Sequence, residues 1–134
     1  MKKILAYIAF SFTAITSYAT TPLWMRDVQI SPDGTEIVFC YKGDISKVPT
    51  EGGAATQLTT QDSYECTPVW SPDGKQIAFA SDRNGNFDIF VMPANGGTAR
   101  RLTTHSTNEV PATFTPDGKY ILFSASIQDP AGSA

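Results

Sequence analysis

The chain has one histidine in 134 residues, His105, and two cysteines, Cys40 and Cys66. Paired Cys or His ligands of the zinc-finger kind are excluded, and so is a framework of several disulfides. No Gly-x-Ser-x-Gly occurs, so the nucleophile elbow of many hydrolases has no counterpart. Positive charge is sparse: 10 Lys and Arg against 13 Asp and Glu give a net charge of −3. An acidic chain without a basic stripe is a poor partner for nucleic acid or an anionic membrane. Beyond the N-terminus there is no apolar run long enough to span a bilayer. No catalytic, cofactor or metal site is expected.

What the chain has is repetition. Ser31-Pro32-Asp33-Gly34, Ser71-Pro72-Asp73-Gly74 and Thr115-Pro116-Asp117-Gly118 are three copies of one phrase, starting 40 and then 44 residues apart. Each is followed by a run with large apolar residues at alternate positions: Ile37/Phe39, Ile77/Phe79 and Ile121/Phe123. Period-two alternation predicts strands. The intervening Val38, Ala78, Ala80 and Leu122 are also apolar, which suits sheets covered on both faces. A second block, Asp44 to Thr60, recurs as Asp88 to Thr104 at a constant offset of 44. A strand-bearing repeat near forty residues predicts an all-β propeller with blades of four antiparallel strands.

The turns fit that reading. Ser-Pro-Asp-Gly has the residue order of a type I turn, with Pro presetting φ at the second position. Asn84-Gly85 predicts a type I′ hairpin. Strands are expected near 26–30, 35–41, 44–49 and 55–60, near 66–70, 75–81, 87–93 and 98–103, and near 110–114 and 119–125. The units are blade 1 at about 24–60, blade 2 at about 66–104 and a truncated blade 3 at about 110–127. About two and a half blades are present, and propellers usually close with about four to eight. An open set leaves an apolar blade face and unpaired edges to water, so the remaining blades or domains of a longer parent are expected partners.

Met1-Lys2-Lys3, an apolar stretch from Ile4 to Ile15 and Ser17-Tyr18-Ala19 form the pattern of a secretory signal peptide over residues 1–19. The mature domain would span 20–134 in the periplasm of a Gram-negative type of cell, with membrane contact only during export. Losing Lys2 and Lys3 and no acid moves the net charge from −3 to −5. Export to an oxidising compartment would permit a Cys40–Cys66 bond. Cys40 aligns with Ala80 and Cys66 with Val110, so two unpaired residues in ordinary apolar slots is the preferred reading.

Individual residues carry little chemistry. His105 aligns with Gln61 in an inter-blade connection, without an evident nucleophile or orienting partner. Asp82 to Asp88 alternates oxygen ligands, but its glycine is out of register for a calcium loop, which favours a polar hairpin tip. Glu65 and Glu109 recur just before the first strands, and Asp33, Asp73 and Asp117 recur in the turns, as structural residues bonding backbone amides would. Trp70 and Phe114 align, with Ile30 in the first unit, and suit blade packing; Trp24 is read the same way. Arg100-Arg101 is read as a solvent-exposed step. Ser46 stands where the second unit has Phe90 and should weaken the packing of its strand.

Thr67 to Gly85, with Asp88 to Met92 and Gly96 to Thr103, resembles the WD40-like propeller repeat of TolB and of tricorn-type proteases. TolB carries an α/β domain ahead of its propeller. Here repeat-like sequence from Trp24 begins directly after the expected cleavage site, as in exported tricorn-like serine peptidases. The resemblance implies a non-catalytic N-terminal propeller that gates or docks peptides for a downstream peptidase domain. The alternatives are a TolB-like protein-docking propeller of the cell envelope and a truncated product without independent function.

Overall fold

The computed structural model describes residues 24–126. The expected signal peptide and Ile127 lie outside the described residues. Ten strands follow one another: β1 Met25–Ile30, β2 Glu36–Tyr41, β3 Asp44–Pro49, β4 Thr56–Gln57, β5 Glu65–Trp70, β6 Gln76–Ser81, β7 Asp88–Pro93, β8 Arg100–Arg101, β9 Glu109–Phe114 and β10 Ile121–Ala125. They form two four-stranded meanders, β1-β2-β3-β4 and β5-β6-β7-β8, and the pair β9-β10, every pairing antiparallel. The first strands β1, β5 and β9 run beside one another, whereas β4 and β8 make no mutual contact. The sheets therefore fan out from their first strands, as propeller blades do. The fold is all-β and the propeller incomplete, two blades and half a third.

Side-chain alternation builds the core. On β6, Ile77 and Phe79 point to blade 1 and Ala78 to blade 3. The joint between blades 1 and 2 holds Val38, Cys40 and Ile45 against Trp70, Ile77, Phe79, Phe90 and Met92. The joint between blades 2 and 3 is smaller, with Val69, Ala78 and Val91 against Phe114 and Ile121. Each fully buried large side chain such as Phe79 or Ile77 stabilises by about 1.5–3 kcal/mol. The middle blade is covered on both faces, and the outer blades are not. β1 is exposed throughout, and β10 nearly so.

Two local expectations change. Asn84-Gly85 does not form a type I′ turn. Gly85 N–H donates to Asp82 O at 2.8 Å, Asn84 keeps negative φ, and the connection spans all six residues between the paired Ser81 and Asp88. The tight hairpin lies instead in blade 1, where Lys42 (φ 54°) and Gly43 (φ 89°) join the paired Tyr41 and Asp44. Glycine is required at 43 twice over, since a Cβ there would sit 2.9 Å from the Tyr64 ring.

The fourth strands are also shorter than expected. Leu58 and Leu102 N–H groups donate to Ile45 O and Ile89 O, both at 2.7 Å. Then the hydroxyls of Thr59 and Thr103 accept from the N–H of Ile45 and Ile89 at 2.9 Å. A side chain takes the next ladder position, and the main chain turns away to the following blade.

Candidate functional site

The three repeat turns share one bonding pattern. Gly34, Gly74 and Gly118 N–H donate to the carbonyls of Ser31, Ser71 and Thr115 at 2.8–2.9 Å, each closing a four-residue turn. The Ser31 and Ser71 hydroxyls donate to Asp33 and Asp73 Oδ1 at 2.6 Å and accept from Glu36 and Gln76 N–H at 2.9 Å. Thr115 does the same between Asp117 and Tyr120. Each Asp Oδ1 also accepts the N–H two residues on, from Thr35, Lys75 or Lys119. These bonds, the hydroxyl's first, hold all three carboxyls below the ordinary aspartate value. Pro32 and Pro72 each lie against the glycine of the next turn, Gly74 and Gly118, while Pro116 belongs to the last described turn. Shallow clefts of about 340–350 Å³ separate successive turns.

Trp70 and Phe114 stand at the blade joints, both nearly buried. Trp70 Nε1 donates to Gln29 O of blade 1 at 3.4 Å. Ile30, which shares their alignment slot, is exposed, because among the described residues nothing packs on that face of β1.

The joints carry polar bonds that the sequence reading missed. A bulge recurs in the first strand pair of every blade. Asp27 and Thr67 adopt positive φ in the first two, and Asp27 Oδ2 accepts the Thr67 N–H at 3.0 Å. The next joint cannot repeat this hook, because Pro111 holds the slot of Thr67 and has no N–H.

Glu65, fully buried, bonds side chains rather than backbone amides. Ser63 Oγ, Ser81 Oγ at 3.0 Å and Arg83 Nη2 at 3.2 Å all reach its Oε1. Arg83 in turn lies over the Phe90 ring at 4.4 Å. Arg101, expected in solvent, reaches buried Asp88 at 2.7 Å. Glu109 is also buried, but Ala125 takes the repeat slot of Ser81 and offers it no hydroxyl; its Oε2, like that of Glu65, has no partner among the described residues. Asp44 is raised above its ordinary value, chiefly by burial and then by the charge of Glu65.

The described residues outside the repeat pattern gather no reactive set. His105 Nδ1 lies 3.1 Å from Thr107 Oγ1 in an exposed loop. Among the described residues no three His, Cys, Asp or Glu cluster as metal ligands. Asp82 accepts from Tyr64 N–H at 2.8 Å. Trp24 is exposed and lines an open cleft of about 400 Å³ with Arg26, Cys40, Lys42 and Tyr64. Both cysteines are free, Cys40 buried and Cys66 half-buried. Burial pushes the Cys40 thiol up to about 11 and raises that of Cys66.

The comparisons with known proteins follow this architecture. Over 96 residues the chain is 32% identical to the uncharacterized peptidase YuxL of Bacillus subtilis strain 168, covering 64% of this chain and 13% of that protein. The putative TolB of Agrobacterium tumefaciens superimposes with a TM-score of 0.72 at 27% identity, covering 82% of this chain and 42% of that one. The tricorn protease superimposes with a TM-score of 0.62 at 18% identity, covering 75% of this chain and 11% of that one, a likeness of fold. The chain thus spans a small part of the peptidase it matches. Residues 22–133 match the model of the tricorn protease N-terminal beta propeller domain, and the chain belongs to that family.

Proposed function

We propose that this chain is the exported N-terminal propeller segment of a tricorn-like serine peptidase, docking or gating peptides and carrying no catalytic group itself. Export would use residues 1–19 and deliver the propeller to the periplasm. The observation that carries this reading is the family match over residues 22–133. The kinship to a peptidase about eight times the length of the matched stretch agrees with it. The bonding described above also favours a scaffold: hydroxyls and carboxylates are spent on holding turns and joints, and the same slots recur from blade to blade.

A TolB-like docking propeller is the second reading, favoured by the likeness to the putative TolB. Reading the coding frame beyond the codon for Ala134 separates the two. More Ser-Pro-Asp-Gly units followed by a peptidase domain are expected. A frame that closes the ring and ends there would overturn the peptidase reading in favour of docking. An immediate stop, with no assembly of chains into a ring, would overturn both and leave a truncated product.

A further inference from the structure

We propose that Cys40 and Cys66 are a blade-to-blade disulfide site, closed by a small disulfide oxidant such as oxidised glutathione. The two residues come from different blades, Cys40 from the second strand of blade 1 and Cys66 from the first strand of blade 2. The Cys40 Sγ donates to the Glu65 carbonyl at 2.8 Å, so it touches the peptide unit that carries Cys66. Cys66 packs against the same core cluster to which Cys40 belongs. Both residues therefore stand at the joint between blades 1 and 2. In the next unit the same slots hold Ala80 and Val110, so the pair is peculiar to the first joint. Closing the bond gives up the Cys40 thiol–carbonyl contact, a small loss because S–H is a weak donor.

Exposure sets the order of events. Cys66, the half-buried thiol, loses its proton and attacks one sulfur of oxidised glutathione, expelling one glutathione thiolate. Cys40 then loses its proton and attacks the Cys66 sulfur of the mixed disulfide, expelling the second thiolate. Two electrons pass from the protein thiols to the oxidant, and the two protons released end on the two glutathiones. The bond would tie blade 1 to blade 2 across a joint that packing, the Glu65 N–H bond to Gly43 O, the Asp27–Thr67 hook and the Trp70 indole also hold. The inference is independent of what the propeller docks.

The test uses the full chain, purified reduced and incubated with oxidised glutathione, then alkylated in denaturant and mapped by mass spectrometry. A linked Cys40–Cys66 peptide and a chain lighter by two hydrogens are expected. The melting temperature should rise by roughly 10 °C on oxidation at constant protein concentration. Cys66→Ser should leave Cys40 unmodified, because the reactive entry point is gone. Glutathione retained on Cys66 with Cys40 still alkylated would overturn the proposal. So would linkage that forms no faster in the folded chain than in guanidinium, where proximity in the fold is lost.

Discussion

At the scale of the residue, the hydroxyl that opens each repeat turn bonds in two directions, to the turn's carboxylate and to a backbone amide beyond it. Ser71 Oγ donates to Asp73 and accepts from Gln76 N–H, and Ser71 is buried. Ser71→Ala strips a partner from both and should destabilise by about 1–2 kcal/mol. Denaturant unfolding at fixed concentration measures the cost, and faster hydrogen exchange at the Gln76 amide localises it. Ser71→Thr should cost little, since Thr115 makes the same bonds in the third turn. The turn aspartates add a pH dependence. Their folded carboxyls bind protons less tightly than the unfolded chain does. The stability they contribute is therefore full above the ordinary aspartate value of about 3.9 and is lost as pH falls through and below it. Asp44 acts in the opposite sense, since its raised value favours the folded state as it protonates. With three groups against one, stability should fall on acidification from pH 5 to pH 3. Asp73→Asn should flatten that slope, and an unchanged slope would show that the turn bonds do not govern it.

At the scale of the element, what was legible in the sequence is what neighbours along the chain decide. Ser31 to Glu36 makes its bonds within five residues, so its phrase shows in any copy. Ile77/Phe79 alternation likewise names its strand and its two faces. The joint chemistry was not legible, because its partners lie on different elements. Asp27 meets Thr67 from 40 residues away, and Arg83 meets Glu65 from 18. Nothing local distinguishes Arg83 from a surface arginine at a hairpin tip. The missed type I′ turn has a related cause: Asn84-Gly85 satisfies a local rule, yet Asp82 is held by Tyr64 from the inter-blade loop and widens the hairpin. Thr59 and Thr103 did carry a signal, their recurrence 44 residues apart, but not their role as ladder substitutes. The Arg83–Glu65 pair yields the sharpest prediction at this scale. Glu65 is wholly buried, so Arg83→Ala leaves its charge uncompensated and should cost about 3–5 kcal/mol. Replacing both, as Arg83→Ala with Glu65→Gln, should recover much of the loss in a double-mutant cycle. Additive losses would mean that the pair is not coupled.

At the scale of the molecule, the two outward faces decide behaviour in solution. Blade 2 shows what a satisfied blade looks like, with five of six residues buried in both β6 and β7. Blade 1 turns Trp24, Val28 and Ile30 to water, and the half-blade leaves Tyr120, Leu122 and Phe123 exposed. Val28, Ile30, Leu122 and Phe123 hold the repeat slots of Pro68, Trp70, Ala78 and Phe79, which neighbouring sheets bury, so their exposure is an unmet packing demand rather than scattered surface apolarity. The two faces also lie at opposite ends of the blade series, so contacts between copies are heterologous and need not close after two. Residues 20–134 alone should therefore self-associate, with light scattering behind a sizing column giving a mass that climbs with concentration. Ile30→Lys with Leu122→Lys should lower that mass at equal loading, because a charge on each face must be desolvated for the faces to meet. A monomer with a sharp cooperative melt in the unsubstituted chain would show instead that two and a half blades satisfy their own packing.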